Sequence, residues 1–220
     1  MRLVLVELDR LLPPQGYQDE VKRRARFAAA MILRNGGRNP VLDLGAFRGD
    51  LATFLPSDWA YLGYDLAENP ENNVQRFDLN NLPLPTVSGL VSTVAVLDVF
   101  EHIKEPDALL RECARVLAPG GLALFSFPNE SGIKAYLMRA ALLQGDMISS
   151  TWGEQSQGWR HLWYFTRKIA REFVQEGGIF EVKEERPYFG RTLARVPLVD
   201  LHPGWATCFM FACRKRGSSG

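Results

Sequence analysis

The chain has little cysteine: Cys113, Cys208 and Cys213 are its only three in 220 residues. An odd number with no CxxC pair argues against a disulfide framework or a structural zinc knuckle, and fits a reducing, cytoplasmic setting. Long apolar runs are missing as well. The longest are of strand length, so no transmembrane span is expected. Charge of one sign is not in excess, with Lys plus Arg at 26 against 25 for Asp plus Glu and a formal net charge of +1. No block of like charge stands out, so the composition indicates no specific nucleic acid. Residues 1–12, MRLVLVELDRLL, are interrupted by Glu7 and Asp9 and lack a small-residue cleavage site, which makes a poor secretory signal. Histidine is scarce too. His102, His161 and His202 are the whole supply of imidazole bases.

What is present reads as one α/β domain over residues 1–216, with Gly217-Ser218-Ser219-Gly220 as a tag or flexible tail. From Asp19 to Gly36, apolar Val21, Ala25, Ala28 and Ile32 recur at helical spacing, which predicts an amphipathic helix within an N-terminal helical segment, residues 1–37. The interleaved Lys22, Arg23, Arg24 and Arg26 read as its solvated face. Val41 to Leu44, Tyr61 to Tyr64, Leu90 to Leu97 and Leu122 to Phe127 are apolar runs without strict alternation, as strands buried on both faces require. Another strand precedes Asp78. Pro106 to Leu117 predicts a helix with Leu109, Cys113 and Val116 on one face and Pro119-Gly120-Gly121 as its stop. Strand, helix, strand repeats imply a parallel sheet. Residues 128–165, punctuated by glycine and carrying Trp152, Trp159 and Trp163, read as an insertion or lid over the active face. Thr166 opens a further helix to Gln175, and Phe180 to Arg186 and Trp205 to Cys213 supply the last strands.

The most informative segment is Val41-Leu42-Asp43-Leu44-Gly45-Ala46-Phe47-Arg48-Gly49-Asp50, a strand running into a glycine turn and then a helix. Glycine at such a turn lets backbone N–H groups approach a ligand that a Cβ would exclude. The next strand ends Gly63-Tyr64-Asp65 and places a carboxylate twenty residues after Gly45, where an acid can accept both ribose hydroxyl protons. Asp78 follows one later strand and Asp98-Val99-Phe100-Glu101-His102 another. Polar groups therefore sit at successive strand ends, where open parallel sheets bind ligands.

The ordered set VLDLGAFRGD, GYD, LDVFEHIKEPDALLRECARVLAPGGLALFSFPN and HLWYFT resembles the class I S-adenosylmethionine-dependent methyltransferases, above all the branch with ubiquinone-biosynthesis methyltransferases and related small-molecule enzymes. The resemblance covers roughly Val41 to Phe180. It implies a Rossmann-like, seven-stranded, mostly parallel sheet with helices on both faces and an antiparallel last strand. It also implies S-adenosyl-L-methionine as cofactor and a small-molecule acceptor. Asp43, Gly45, Ala46 and Gly49 would form the turn against the methionine portion, Asp65 and Leu66 would meet the ribose, and Asp78 with Leu79 would flank the adenine. Asp98 would complete the cofactor site. In one departure, Phe47 stands where the family's turn usually has glycine and would narrow the pocket. The turn is not GxGxxG, which ranks a nicotinamide oxidoreductase below a methyltransferase.

In methyl transfer the cofactor carries the activated group and the protein aligns the acceptor in line with it, so no covalent nucleophile is needed. His102 and His161 are the candidate acid–base residues, and His202 reads as structural. Arg160, Arg167 and Arg191 are candidate contacts to an anionic acceptor, with a solvated role as the plainer reading. Asp98, Glu101 and His102 together with His161 also resemble the metal-binding arrangement of certain O-methyltransferases, a divalent-metal alternative in which the ion lowers an acceptor hydroxyl's pKa. A third reading, prompted by Phe47, is a non-catalytic cofactor-binding regulatory or partner protein.

Overall fold

The computed structural model describes residues 17–129, 161–188, 206 and 208–217. Helix α1 (Tyr17–Arg34) buries Ala25, Ala28, Ala29, Met31 and Ile32 and ends at Gly36, whose φ is +70°. A non-glycine residue is costly in that left-handed region, so the glycine fixes where the helix stops. The strands are β1 (Val41–Leu44), β2 (Tyr61–Asp65), β3 (Val74–Arg76), β4 (Val91–Leu97), β5 (Leu117–Pro128), β6 (Phe180–Tyr188) and β7 (Cys208–Lys215), in spatial order β3-β2-β1-β4-β5-β7-β6. Neighbours from β3 to β5 run parallel, and β7 enters antiparallel between β5 and β6. The Rossmann-like seven-stranded sheet with its antiparallel last strand is as expected.

Two apolar clusters cover the two faces of the sheet, and the pleat decides which residue joins which. Leu42, Leu44, Val94 and Val96 pack with helices α2 (Pro106–Val116) and α3 (Arg167–Val174) on one face. Val41, Ala95, Leu122 and Leu124 pack with Ala25, Ala28 and Ile32 of α1 on the other. Strands covered on both sides must be apolar at every position, which is why the runs showed no alternation. Thr166 caps α3 by accepting from the Ile169 N–H at 3.3 Å.

Several boundaries differ from expectation. No α-helix follows the glycine turn after β1, where a 3-10 turn at Ala52–Phe54 leads directly to Pro56, leaving too few residues for a helix. β5 starts at Leu117, because Pro119-Gly120-Gly121 lies within the strand's entry and does not form a loop before it. β6 runs on to Tyr188 and β7 from Cys208 to Lys215. Most of the expected insertion, with Trp152, Trp159 and Arg160, lies outside the described residues, as do Arg191 and His202. No helix among the described residues is long and apolar enough to cross a membrane.

An aromatic cluster ties the sheet to the segments that follow β4 and precede α3. Phe127 of β5 stacks on Phe100 with centroids 5.4 Å apart, meets Phe165 at 4.7 Å, and touches Phe173 and Phe211 at 5.9 Å each. All but Phe173 are buried. Phe127→Ala should lower unfolding stability by about 3–5 kcal/mol in a chemical denaturation experiment, the range for a large aromatic removed from a packed core. A loss under about 1 kcal/mol would show that these rings do not hold the two segments to the sheet.

Candidate active site

Parallel pairing sets Leu44 in register with both Tyr64 and Val96. Gly45, Asp65 and Asp98 therefore emerge along one edge of the sheet. Gly45 has φ +74° and its N–H donates to the Tyr64 carbonyl at 2.8 Å, while a Cβ there would run into the Val99 side chain. At Gly49, with φ +75°, a Cβ would stand 2.7 Å from that of Asn72. Phe47 adopts the left-handed conformation, φ 51°, so the turn keeps the path that glycine ordinarily permits. Its N–H donates to Asp65 Oδ2 at 2.8 Å, and the Ala67 N–H reaches Oδ1 at 3.3 Å. The turn thus aims the carboxylate expected to serve a ribose. Leu66 beside it is exposed.

Between α1 and the turn lies a cavity lined by, among others, Val21, Arg24, Asp43, Phe47, Asp50 and Leu97. Asp43 is buried on the α1 face, and the Tyr61 hydroxyl donates to its Oδ2 at 2.7 Å. Burial pushes its carboxyl up to about 7, with Asp65 adding to the rise, against the opposing effects of the Tyr61 bond and Arg24. The Tyr61 phenol is itself pushed up, first by burial and then by the charge of Asp43. Arg24 is ion-paired to Asp98 Oδ2, and Ser126 donates its hydroxyl to Oδ1. Asp98 also sits in the left-handed region, φ 54°.

Glu101, His102 and His161 form a second group, with one potential ligand atom from each lying within 4.8 Å of the others. The two imidazoles meet edge to face at 4.7 Å between centroids. Glu101 is buried, and its Oε1 lies 3.9 Å from His102 Nε2. The His161 segment is held here because the Leu162 N–H donates to the Glu101 carbonyl at 2.6 Å and the Trp163 indole N–H to the Ile103 carbonyl at 2.7 Å.

The expected site residues are therefore not all in one place. Asp43, Gly45, Ala46, Gly49 and Asp65 gather around the turn. Asp98 stands with Arg24 and Ser126, outside the group formed by Glu101, His102 and His161. Asp78 Oδ1 is engaged by Asn80, and the Leu79 side chain packs in the core. Arg167 and Arg171 share Glu185, which leaves Arg167 committed within the fold. Arg24 was misread from the sequence as part of a solvated face. The missed signal is its place in the buried stripe: Val21, Arg24, Ala25 and Ala28 recur at helical spacing. Tyr61 and Ser126 carried no local signal, since their partners lie 18 and 28 residues away in sequence.

A methyltransferase-domain family model matches residues 14–179. The chain is 29% identical over 111 residues to the ubiquinone biosynthesis O-methyltransferase of Acinetobacter baumannii, a match that takes in 44% of this chain and 46% of that one. It is 37% identical over 75 residues to a probable S-adenosylmethionine-dependent methyltransferase of Mycolicibacterium smegmatis, covering 34% of this chain and 28% of the relative. The chain thus spans less than half the length of these curated relatives. Among solved structures it is similar to magnesium protoporphyrin IX methyltransferase from Synechocystis with bound SAH, at TM-score 0.62 and 15% identity, over 95% of this chain and 94% of that one. This likeness is one of fold.

Asp43 makes stability depend on pH. Its folded-state carboxyl keeps a proton up to about pH 7, whereas in the unfolded chain it ionises near about pH 4. Between those values folding takes up a proton, so the stability held by the neutral form is present near pH 4 and is lost as pH rises towards 7. Asp43→Asn keeps an acceptor for Tyr61 and removes the titration. The Tm advantage of the variant should grow as pH rises from about 5 to about 8. A constant difference across that range would place the Asp43 carboxyl in its ordinary range.

Proposed function

The chain belongs to the methyltransferase-domain family, whose relatives are S-adenosylmethionine-dependent methyltransferases, and from that premise we propose that it passes the cofactor's methyl group directly to a small-molecule acceptor. The observation that carries the reading is the convergence of a glycine turn, a fixed carboxylate at Asp65 and a charged cavity at the same ends of β1, β2 and β4.

The residues present fit the cofactor. Asp65 is oriented by two backbone N–H groups and retains lone pairs for ribose hydroxyls. The cavity places the guanidinium of Arg24 near the carboxyls of Asp43 and Asp50, between apolar walls from Val21 and Leu97. The Arg24 guanidinium and the Asp50 carboxyl, with the Asp43 carboxyl as a polar neighbour, suit an amino-acid tail that carries both a carboxylate and an ammonium. When bound, the cofactor supplies an activated methyl on a sulfonium. The protein's part is to hold donor and acceptor in line and to move the acceptor's proton.

An oxygen acceptor is the form we favour, on the strength of the relative named for O-methylation. His161 and His102 lie together just beyond the β4 end, where an imidazole can accept a hydroxyl proton. The exposed Leu162, Trp163 and Tyr164 beside them offer apolar surface to an acceptor ring or chain.

One observation favours a second form of the reaction. Glu101, His102 and His161 offer one carboxylate and two imidazoles within 4.8 Å, a mixed set that suits manganese, cobalt or zinc better than calcium. A divalent ion held there would lower the pKa of an acceptor hydroxyl. Asp98 has no part in this set while Arg24 and Ser126 hold it.

Calorimetric titration with S-adenosylhomocysteine should show micromolar binding, and Asp65→Ala should weaken it about ten- to a hundredfold, as expected for lost hydrogen bonds to a charged group. Unchanged affinity in that variant would remove Asp65 from the ribose. For the acceptor side, His161→Ala should reduce turnover at least about tenfold with S-adenosylhomocysteine affinity intact. If a chelator abolishes wild-type turnover without affecting that affinity, the metal-assisted form is correct; full turnover in chelator assigns the histidines to proton transfer alone.

A further inference from the structure

The Arg24–Asp98 ion pair borders the cavity that the proposed cofactor tail would enter. Arg24 lines that cavity from α1, and Leu97, the residue before Asp98, lines it from the end of β4. Both side chains are partly exposed, at 27% and 19%, so a ligand can reach the pair. Asp98 is held from behind by the Ser126 hydroxyl on Oδ1, while Oδ2 faces Arg24. Asp43 and Asp50 line the same cavity. Arg24 is thus a cation beside acidic residues, and one of its partners, Asp98, stands at the end of β4.

We infer that Asp98 and the carboxylate of the incoming cofactor tail compete for Arg24, so that capture of the tail releases Asp98. This rests on the cofactor reading given above. A guanidinium has donors on two edges, but its attraction to a second anion is weakened while the first remains in contact. The tail carboxylate therefore binds against an existing pair, and part of its binding energy is spent in displacing Asp98. Asp98 lies three residues before Glu101 and four before His102, on the segment that leads from β4 to the acceptor group, so its carboxylate is released at the start of that segment only after the cofactor is in place. The pair acts as a latch that orders the two ligands, cofactor first.

Asp98→Asn tests this with little disturbance to the fold. Asparagine tolerates the left-handed conformation and can still accept from Ser126; only the competing charge is removed. Two probes are titrated by calorimetry into wild type, Asp98→Asn and Arg24→Gln: S-adenosylhomocysteine, which carries the tail, and 5′-methylthioadenosine, which lacks its carboxylate. Asp98→Asn is expected to bind S-adenosylhomocysteine at least about threefold more tightly, the scale of one partly exposed ion pair. Arg24→Gln is expected to bind it about tenfold or more weakly. Neither variant should alter 5′-methylthioadenosine affinity, which also reports that each is folded. Unchanged or weakened S-adenosylhomocysteine binding in Asp98→Asn, with 5′-methylthioadenosine binding intact, overturns the latch and leaves the cofactor reading standing. Wild type that binds neither probe overturns both.

Discussion

Parallel strands all end on the same side, and this chain ends several of them in acids. Asp65, Asp98 and Glu101 sit at or just past strand ends, with Asp43 buried one residue short of the turn. Like charges in a partly dry environment repel strongly, so each needs its own compensation. Burial draws the Asp43 carboxyl towards its protonated form, and it accepts from Tyr61. Asp65 takes two backbone N–H groups from the loops beside it. Asp98 draws Arg24 across from α1. Glu101 is buried with its Oε1 3.9 Å from His102 Nε2, a compensation that operates when that imidazole carries a proton. The Arg24 contact from α1 and the hydrogen bond from the Phe47 N–H both answer this electrostatic demand.

The aromatic cluster supplies the rigidity that such an arrangement requires. Phe100 stands directly before Glu101 and His102, and Phe165 stands four residues after His161. Both rings rest on Phe127. Two segments about sixty residues apart in sequence are thus fixed to a single side chain of the central sheet, and the imidazoles they carry meet with little freedom left to lose. Packing on the α2 and α3 face sets the geometry of one half of the site. Packing of α1 on the opposite face sets the other.

The strands were legible because burial on both faces leaves a continuous apolar run, and β1 was read with its observed ends at Val41 and Leu44. The glycine turn and Asp65 were legible because their spacing is local. The edges of β5 and β7 were not, since Pro119-Gly120-Gly121 looks like a stop until a neighbouring strand pairs with what surrounds it. Arg24 was illegible for a similar reason: a cation in a helix reads as solvated unless its partner, 74 residues away, is known to lie under the same helix. The separation of Asp98 from the Glu101, His102 and His161 group followed from that unseen contact.

The outer strands of the sheet differ in kind. On one side it stops at β3, only three residues long. On the other it stops at β6, FEVKEERPY, where Glu184 and Glu185 are tied to arginines and Pro187 offers no N–H. Neither margin presents the long, uncharged ladder that another chain's strand would need in order to dock by main-chain pairing. Within the described residues, crowding such molecules together in concentrated solution gives them no ready template for growing a shared sheet, however apolar the strands within.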